Sequence, residues 1–385
     1  MGSLFYYGTL IKWRKLPHWL LKSGIKTLPV ASGAYGMGCI GFPAHPVWEI
    51  TLACNLKCIH CHASSGKPLP DELTTEEGLQ LLEEIVSIRE FRMLVLTGGE
   101  PLIRRDIFEI LEYGKNLGLK FVIATNGTLI TEEIAFMLKE KGATGLAISI
   151  DASNSKVHNF IRNSLDAFDL AINGIKNAKK ARLAIQINFT VMEYNANQLE
   201  DTVEFVNDLG ADIILIYQLV PVGRGKSVGE ARLRMKENES LVNLIKEKQI
   251  TSTTIIEPVA APQYWPYILK KNGKNNLGLN LAQIFFHGCT AGRGLVYVKA
   301  NGEVWPCPFV EVSAGNVRKN SFSEIWQNSE VFQNLRYRKE ALKGKCSICQ
   351  FIDICGGCRG RAWALKGDYL SEDSSCFIHG NGEKI

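Results

Sequence analysis

The sequence predicts an α/β protein, a partial (β/α)6 barrel followed by a cysteine-rich C-terminal domain. Three observations carry this. Between residues 47 and 218, short β-branched runs alternate six times with amphipathic helical stretches, the pattern of βα units around a parallel sheet. Polar or glycine-rich motifs sit at the ends of these runs. Beyond residue 286 the long apolar runs give way to glycine and cysteine, so that part of the chain needs inorganic staples in place of a large core.

The expected strands are Val47 to Leu52, Met93 to Thr97, Lys120 to Thr125, Gly145 to Ile150, Ala184 to Val191 and Asp212 to Leu219. Continuous apolar runs such as MLVLT, FVIAT and IILIY suit parallel strands buried on both faces. Helices fit between them. Thr74-Thr75-Glu76-Glu77 reads as a capping box ahead of Leu79, Leu81, Leu82 and Ile85, Thr131 as an N-cap, and Gly142 as a helix-ending residue. Six units are fewer than the eight of a closed barrel, which implies a partial barrel or a curved open sheet. The site should collect at the C-terminal strand ends. Cys54, Cys58 and Cys61 follow the first strand, Gly98-Gly99-Glu100-Pro101 the second and Thr125-Asn126-Gly127 the third. Ser149-Ile150-Asp151 ends the fourth, and Pro221-Val222-Gly223-Arg224-Gly225 follows the sixth.

Four regions are expected: an N-terminal extension 1–45, the barrel 46–225, a bridging segment 226–285 and the cysteine-rich domain 286–385. The chain has 385 residues, 46% of them hydrophobic and 22% charged, ordinary values for a soluble globular protein. A net charge of +5 is small for this size and does not suggest a nucleic-acid binder. Lys12, Arg14 and Lys15 lie among Phe5, Tyr6, Trp13 and Trp19 without a long apolar run, so a cytoplasmic location is expected. Residues 5–26 read as a helix packed on the main domain, with a membrane-surface element as the alternative.

There are 11 cysteines, and apart from Cys39 they form two groups with tight spacings. Cys39 reads as a small buried apolar residue. With no export signal, metal or cluster ligation explains the rest better than disulfides do. Three thiols in the C-x3-C-x2-C spacing of Cys54, Cys58 and Cys61 can hold three corners of an iron–sulfur cube and leave one iron open for a small molecule.

With the aromatic His60 before the last of these cysteines and Gly98-Gly99-Glu100 at the next strand end, the chain resembles the radical S-adenosylmethionine (radical SAM) superfamily. The resemblance implies a [4Fe–4S] cluster on Cys54, Cys58 and Cys61, with S-adenosylmethionine chelated to the fourth iron and cleaved to a 5′-deoxyadenosyl radical. It assigns cofactor contacts to Gly98, Gly99, Glu100, Asn126, Ser149, Asp151 and Arg162. Glu100 would accept from the ligand's ammonium group, Ser149 and Asp151 would meet ribose hydroxyls, and Arg162 would pair with its carboxylate. Gln218 to Pro221 would flank the adenine.

Cys289, Gly302, Cys307, Cys346-x2-Cys349-x5-Cys355-x2-Cys358 and Cys376 are similar to the SPASM domain, the iron–sulfur extension of such enzymes. The fold expected is therefore α/β, a partial (β/α)6 barrel with a C-terminal cysteine-rich iron–sulfur domain. One or two auxiliary clusters are implied. Cys346, Cys349, Cys355 and Cys376 would close one, while Cys289, Cys307 and Cys358 would give three ligands to another, with His287 the nearest candidate for a fourth. A Zn(Cys)4 knot of Cys346, Cys349, Cys355 and Cys358 is the alternative.

Pro308 follows Cys307 where sulfatase-maturing relatives carry Asp, which disfavours that activity. The spacing of Cys355-Gly356-Gly357-Cys358-Arg359 looks most like the haem-biosynthesis relatives (haem d1 and the alternative haem pathway), which modify carboxylate side chains of tetrapyrroles. Arg224, Arg293, Arg359 and Arg361 would receive such polycarboxylates. The expected partners are a tetrapyrrole or peptide substrate and a low-potential electron donor such as ferredoxin or flavodoxin. Maturation of a ribosomal peptide, or of a tungsten or quinone enzyme or cofactor, is the runner-up. A non-catalytic iron–sulfur electron carrier ranks below it.

Overall fold

The computed structural model describes residues 45–272 and 288–378; residues 5–26, Cys39 and His287 lie outside them. The six expected strands are present as β1 (His45–Glu49), β2 (Met93–Thr97), β3 (Lys120–Thr125), β4 (Ala143–Ser149), β5 (Ala184–Val191) and β6 (Ile213–Gln218). They pair in parallel and in sequence order. β1 stops short of the expected Leu52 because the Leu52 amide donates to the Glu72 carboxylate at 2.7 Å, which pulls the chain off the ladder.

The sheet is larger than six strands. β7 (Ile255–Val259), from the bridging segment, adds to β6 in parallel, and β8 (Leu295–Val298), from the cysteine-rich region, adds in parallel to the other edge at β1. Two short antiparallel strands, β9 (Glu303–Trp305) and β10 (Gly315–Asn316), follow β8. The order is β10-β9-β8-β1-β2-β3-β4-β5-β6-β7, which leaves β10 and β7 as the edges.

Local chemistry explains the helices. In α1 (Thr75–Ser87), the Thr74 hydroxyl accepts from the Glu77 amide and Glu77 accepts from the Thr74 amide, which satisfies two otherwise orphaned donors. Leu81, Leu82 and Ile85 are buried against the sheet, each contributing roughly 1.5–3 kcal/mol of burial. α2 (Ile107–Asn116) and α3 (Glu132–Lys141) continue the outer layer. Thr131 caps α3 through the Ile134 amide, and Gly142 closes it at φ +118°. α4 (Ser155–Arg162), capped by Asn154, and α5 (Ala167–Lys180) follow β4. The C-terminal region docks on α1 and the segment after it, with Phe91 against Phe322 and Trp326 and a two-pronged ion pair from Arg318 to Glu77 at 2.6 and 2.7 Å. Among the described residues, no helix is long and apolar enough to cross a membrane.

Candidate active site

A cavity of about 290 Å3 occupies the inside of the curved sheet and opens among the strand ends. Cys54, Cys58 and Cys61 border it, and Cys289, Cys307 and Cys358 border it as well. The loop carrying the first three is held by backbone contacts. The Gly99 amide donates to Thr51 O at 2.7 Å and the Glu100 amide to Ala53 O at 2.8 Å. A Cβ on Gly99 would stand 2.2 Å from Ala53 O, and one on Gly98, at φ +152°, 2.2 Å from Thr51 O. The two glycines thus admit the cysteine loop itself, and both also face the cavity.

Glu100 is placed differently from the sequence expectation. Fully buried, it does not line the cavity; its carboxylate accepts from the Thr125 hydroxyl, the Asn126 amide and the Leu102 amide. Burial raises its pKa to about 7, against the lowering effect of those donors. It braces the β3 end. Asn126 lines the cavity, with its side chain donating to Asn55 and accepting from Thr128, so it ties the cysteine loop to β3.

Ser149 lines the cavity at the end of β4, but Asp151 does not. Asp151 is fully buried, accepts from the Thr190 amide at 3.0 Å and pairs with Arg162 Nη2 at 2.7 Å. Burial works against its charge, but Arg162 and the nearby histidines hold its pKa below the usual range. Asp151 thereby orients Arg162. That guanidinium also donates from Nη1 to the Cys58 sulfur at 3.7 Å. His60 stands 3.8 Å from the same carboxylate, and burial pushes its pKa down to about 4, so its ring is neutral.

The C-terminal cysteines interleave. The Cys289 amide donates to Cys355 O at 2.9 Å, and Gly288 is a glycine because a Cβ there would lie 2.1 Å from that carbonyl. Yet Cys289 faces the large cavity with Cys307 and Cys358, while Cys355 lines a second, smaller one with Cys346, Cys349 and Cys376. Cys358 is thereby separated from Cys346, Cys349 and Cys355, which removes the Zn(Cys)4 alternative.

The arginines expected to receive substrate carboxylates are largely committed elsewhere. Arg224 donates to Cys58 O and Ser65 O, while Arg359 donates to Tyr369 O, Ser371 O and the Cys346 sulfur. Arg361 is buried on Asp373, Gln218 and Ala260 O, and Arg293 is outside the cavity lining.

The residues present fit iron–sulfur clusters and a polar ligand. None of the ten described cysteines is in a disulfide, and no three ligands converge as they would on one ion among the described residues, where zinc would hold each sulfur at about 2.3 Å. Instead the thiols ring open space. Backbone or arginine N–H groups donate to the sulfurs of Cys54, Cys58, Cys346, Cys349 and Cys355, as N–H donors around cluster thiolates do. Without a cluster, burial raises the thiol of Cys54 to about 11 and that of Cys358 to about 11. Around the cavity, Arg162 Nε, His60 Nδ1 and Gln218 Nε2 are buried with no hydrogen-bond partner among the described residues.

Sequence reasoning missed several cavity residues. Gln186, Asn188 and Thr190 line it from β5, and their period-two polar pattern inside an apolar strand was a readable signal. Tyr297 and His62 also line it. His62 adjoins Cys61 and was legible only as part of that motif.

The profile of the Radical SAM superfamily matches residues 48–206, and that of the SPASM iron–sulfur cluster-binding domain matches residues 289–350. The AdoMet-dependent heme synthase of Methanosarcina barkeri is 39% identical over 342 residues, 88% of this chain and 97% of that protein. The Fe-coproporphyrin III synthase of the same organism is 31% identical, covering 86% of this chain and 87% of its own. Streptococcus suis SuiB bound to S-adenosylmethionine shares the fold at a TM-score of 0.66 and 18% identity, over 87% of this chain and 77% of that one.

Proposed function

The chain belongs to the radical SAM superfamily and carries a SPASM domain, and from that premise we propose that it oxidises a carboxylate side chain of an iron-containing or sirohaem-derived tetrapyrrole. It is an enzyme, with S-adenosylmethionine and [4Fe–4S] clusters as its cofactors. The observation that carries the proposal is the single cavity bordered by two three-thiol groups, Cys54, Cys58 and Cys61, and Cys289, Cys307 and Cys358. Bound at the first group, the cluster and S-adenosylmethionine supply a primary carbon radical able to take hydrogen from an unactivated carbon.

Around that ligand, Gly98 and Gly99 would present their backbone, Ser149 its hydroxyl and Arg162 its guanidinium, with Asp151 fixing that group. Glu100 and Asn126 would hold the loops in place. Cys289, Cys307 and Cys358 would hold an auxiliary cluster able to accept an electron, and Cys346, Cys349, Cys355 and Cys376 a second one on the way out. Losing one hydrogen atom and one electron lets a propionate release carbon dioxide and become a vinyl group, so an oxidant at one end and an acceptor at the other match the chemistry. Apolar wall residues such as Val47, Val95, Val122, Leu215 and Val259 suit a flat macrocycle. A low-potential donor such as ferredoxin or flavodoxin would supply the initiating electron.

The test is anaerobic reconstitution, reduction with dithionite and incubation with iron-coproporphyrin and with sirohaem derivatives. The expected result is 5′-deoxyadenosine together with a product that has lost mass. Cleavage of S-adenosylmethionine with no mass loss from either tetrapyrrole would reject this substrate class in favour of a peptide.

A further inference from the structure

We propose that His62 is an axial ligand to the iron of the tetrapyrrole substrate, and so sets the position of the macrocycle between the two thiol groups. This rests on the tetrapyrrole reading above. His62 lines the cavity and has no hydrogen-bond partner or ion pair among the described residues. Its ring neighbours are apolar surfaces. The Phe309 ring lies edge-on at 5.5 Å, two residues from Cys307, and the Tyr297 ring at 6.5 Å. An imidazole left without a protein partner on a cavity wall retains a lone pair for a ligand, and imidazole nitrogen is a common ligand of haem iron.

The backbone beneath it is held rigidly, as a positioning ligand requires. The Arg224 amide donates to Cys61 O at 2.9 Å, and the Arg224 side chain donates to Cys58 O at 3.0 Å and Ser65 O at 2.6 Å, on both sides of His62. Gly223, at φ +54°, packs so closely that a Cβ there would stand 2.1 Å from His62 O. The other cavity histidines are less suited. His60 stands 3.8 Å from the Asp151 carboxylate beside Arg162, on the side where S-adenosylmethionine is proposed. His45 already has a partner. His62 instead sits between Cys61 of one thiol group and Cys307 of the other, where the substrate has to lie.

The experiment uses the full-length, anaerobically reconstituted enzyme, wild type and the variants His62→Ala and His62→Gln, with iron and sulfide content as the check on assembly. Each is titrated with ferric coproporphyrin and with metal-free coproporphyrin, and the haem electron paramagnetic resonance spectrum is recorded with and without free imidazole. The expected result is a nitrogen-ligated iron spectrum in the wild type that is lost in both variants and restored by imidazole. Iron-coproporphyrin should bind the variants on the order of tenfold or more weakly, with the metal-free form unchanged. Identical iron spectra and affinities in wild type and variants, with turnover of the tetrapyrrole intact, would overturn the His62 role alone. Failure of iron-coproporphyrin to bind the wild type would overturn this inference together with the substrate class.

Discussion

Arg361 Nη1 donates to Gln218 Oε1 at 2.7 Å across 143 residues of sequence. The same guanidinium meets Asp373 at 2.7 and 2.9 Å and Ala260 O at 2.8 Å, and Asp373 in turn accepts from the Cys358 amide at 2.8 Å. One buried cation therefore joins the ends of β6 and β7 to the turn carrying Cys358. Burial opposes the charge of Asp373, but Arg361 lowers its pKa to about 2. Arg361→Met leaves that carboxylate buried and unpaired, with an expected cost of about 3–5 kcal/mol. The double variant Arg361→Met with Asp373→Asn, which removes the charge and keeps an acceptor for the Cys358 amide, should recover much of it. Urea midpoints of the reconstituted proteins check this, and equal losses in the single and double variants would show that the pair is not the source.

Glu257, on β7, is 1% exposed and neither of its carboxylate oxygens has a partner among the described residues. Burial alone raises its pKa from 4.5 to about 8. Between these values the native chain holds a proton that the unfolded chain has released, so this group makes stability fall as pH rises from 4.5 to 8. The slope is at most about 1.4 kcal/mol per pH unit. Glu257→Gln should flatten that part of the melting-temperature profile and raise Tm at pH 8. An unchanged profile would mean that the carboxylate finds a partner in solution.

The interleaved cysteines make a sharp prediction about iron. Cys346→Ala, Cys349→Ala, Cys355→Ala and Cys376→Ala should each remove the same cluster, about four iron per chain, and leave the other two sites loaded. Cys358→Ala should instead behave like Cys289→Ala and Cys307→Ala. Iron and sulfide analysis with Mössbauer spectra would decide. A Cys358→Ala protein that loses the same iron as Cys346→Ala, while Cys376→Ala loses none, would contradict the grouping.

What the sequence revealed is largely what local chemistry determines. The Thr74 and Glu77 capping box, the Thr131 cap and Gly142 are each set by interactions within a few residues, and all three are found. β7 and β8 went unread because Glu257 and Pro258 interrupt one run and the other has four residues. Their strand character comes from distant pairing, with His45 opposite Leu295. The motifs located the site, but not the direction in which each side chain turns. Glu100, Asp151, Arg359 and Arg361 all looked available to ligands, and all are engaged by groups that only the folded chain brings near.

Arg162 shows why that direction matters for activity. Its Nη2 is committed to Asp151 and its Nη1 points at the Cys58 sulfur, while its Nε is buried at the cavity border with no partner among the described residues. A lysine can keep the ion pair with Asp151 but cannot also reach the sulfur and a ligand, because it lacks the planar fork. Arg162→Lys should therefore keep near-normal iron content and weaken S-adenosylmethionine binding. Misplacing the reacting groups can lower cleavage by up to about a hundredfold. Arg162→Gln leaves Asp151 uncompensated and should in addition lower stability by about 3–5 kcal/mol. Equilibrium binding of S-adenosylmethionine, 5′-deoxyadenosine yield and urea unfolding separate the two effects. If Arg162→Lys bound and cleaved S-adenosylmethionine like the wild type, the Asp151 pair alone would account for this arginine, and its contacts with the sulfur and the cavity would be incidental.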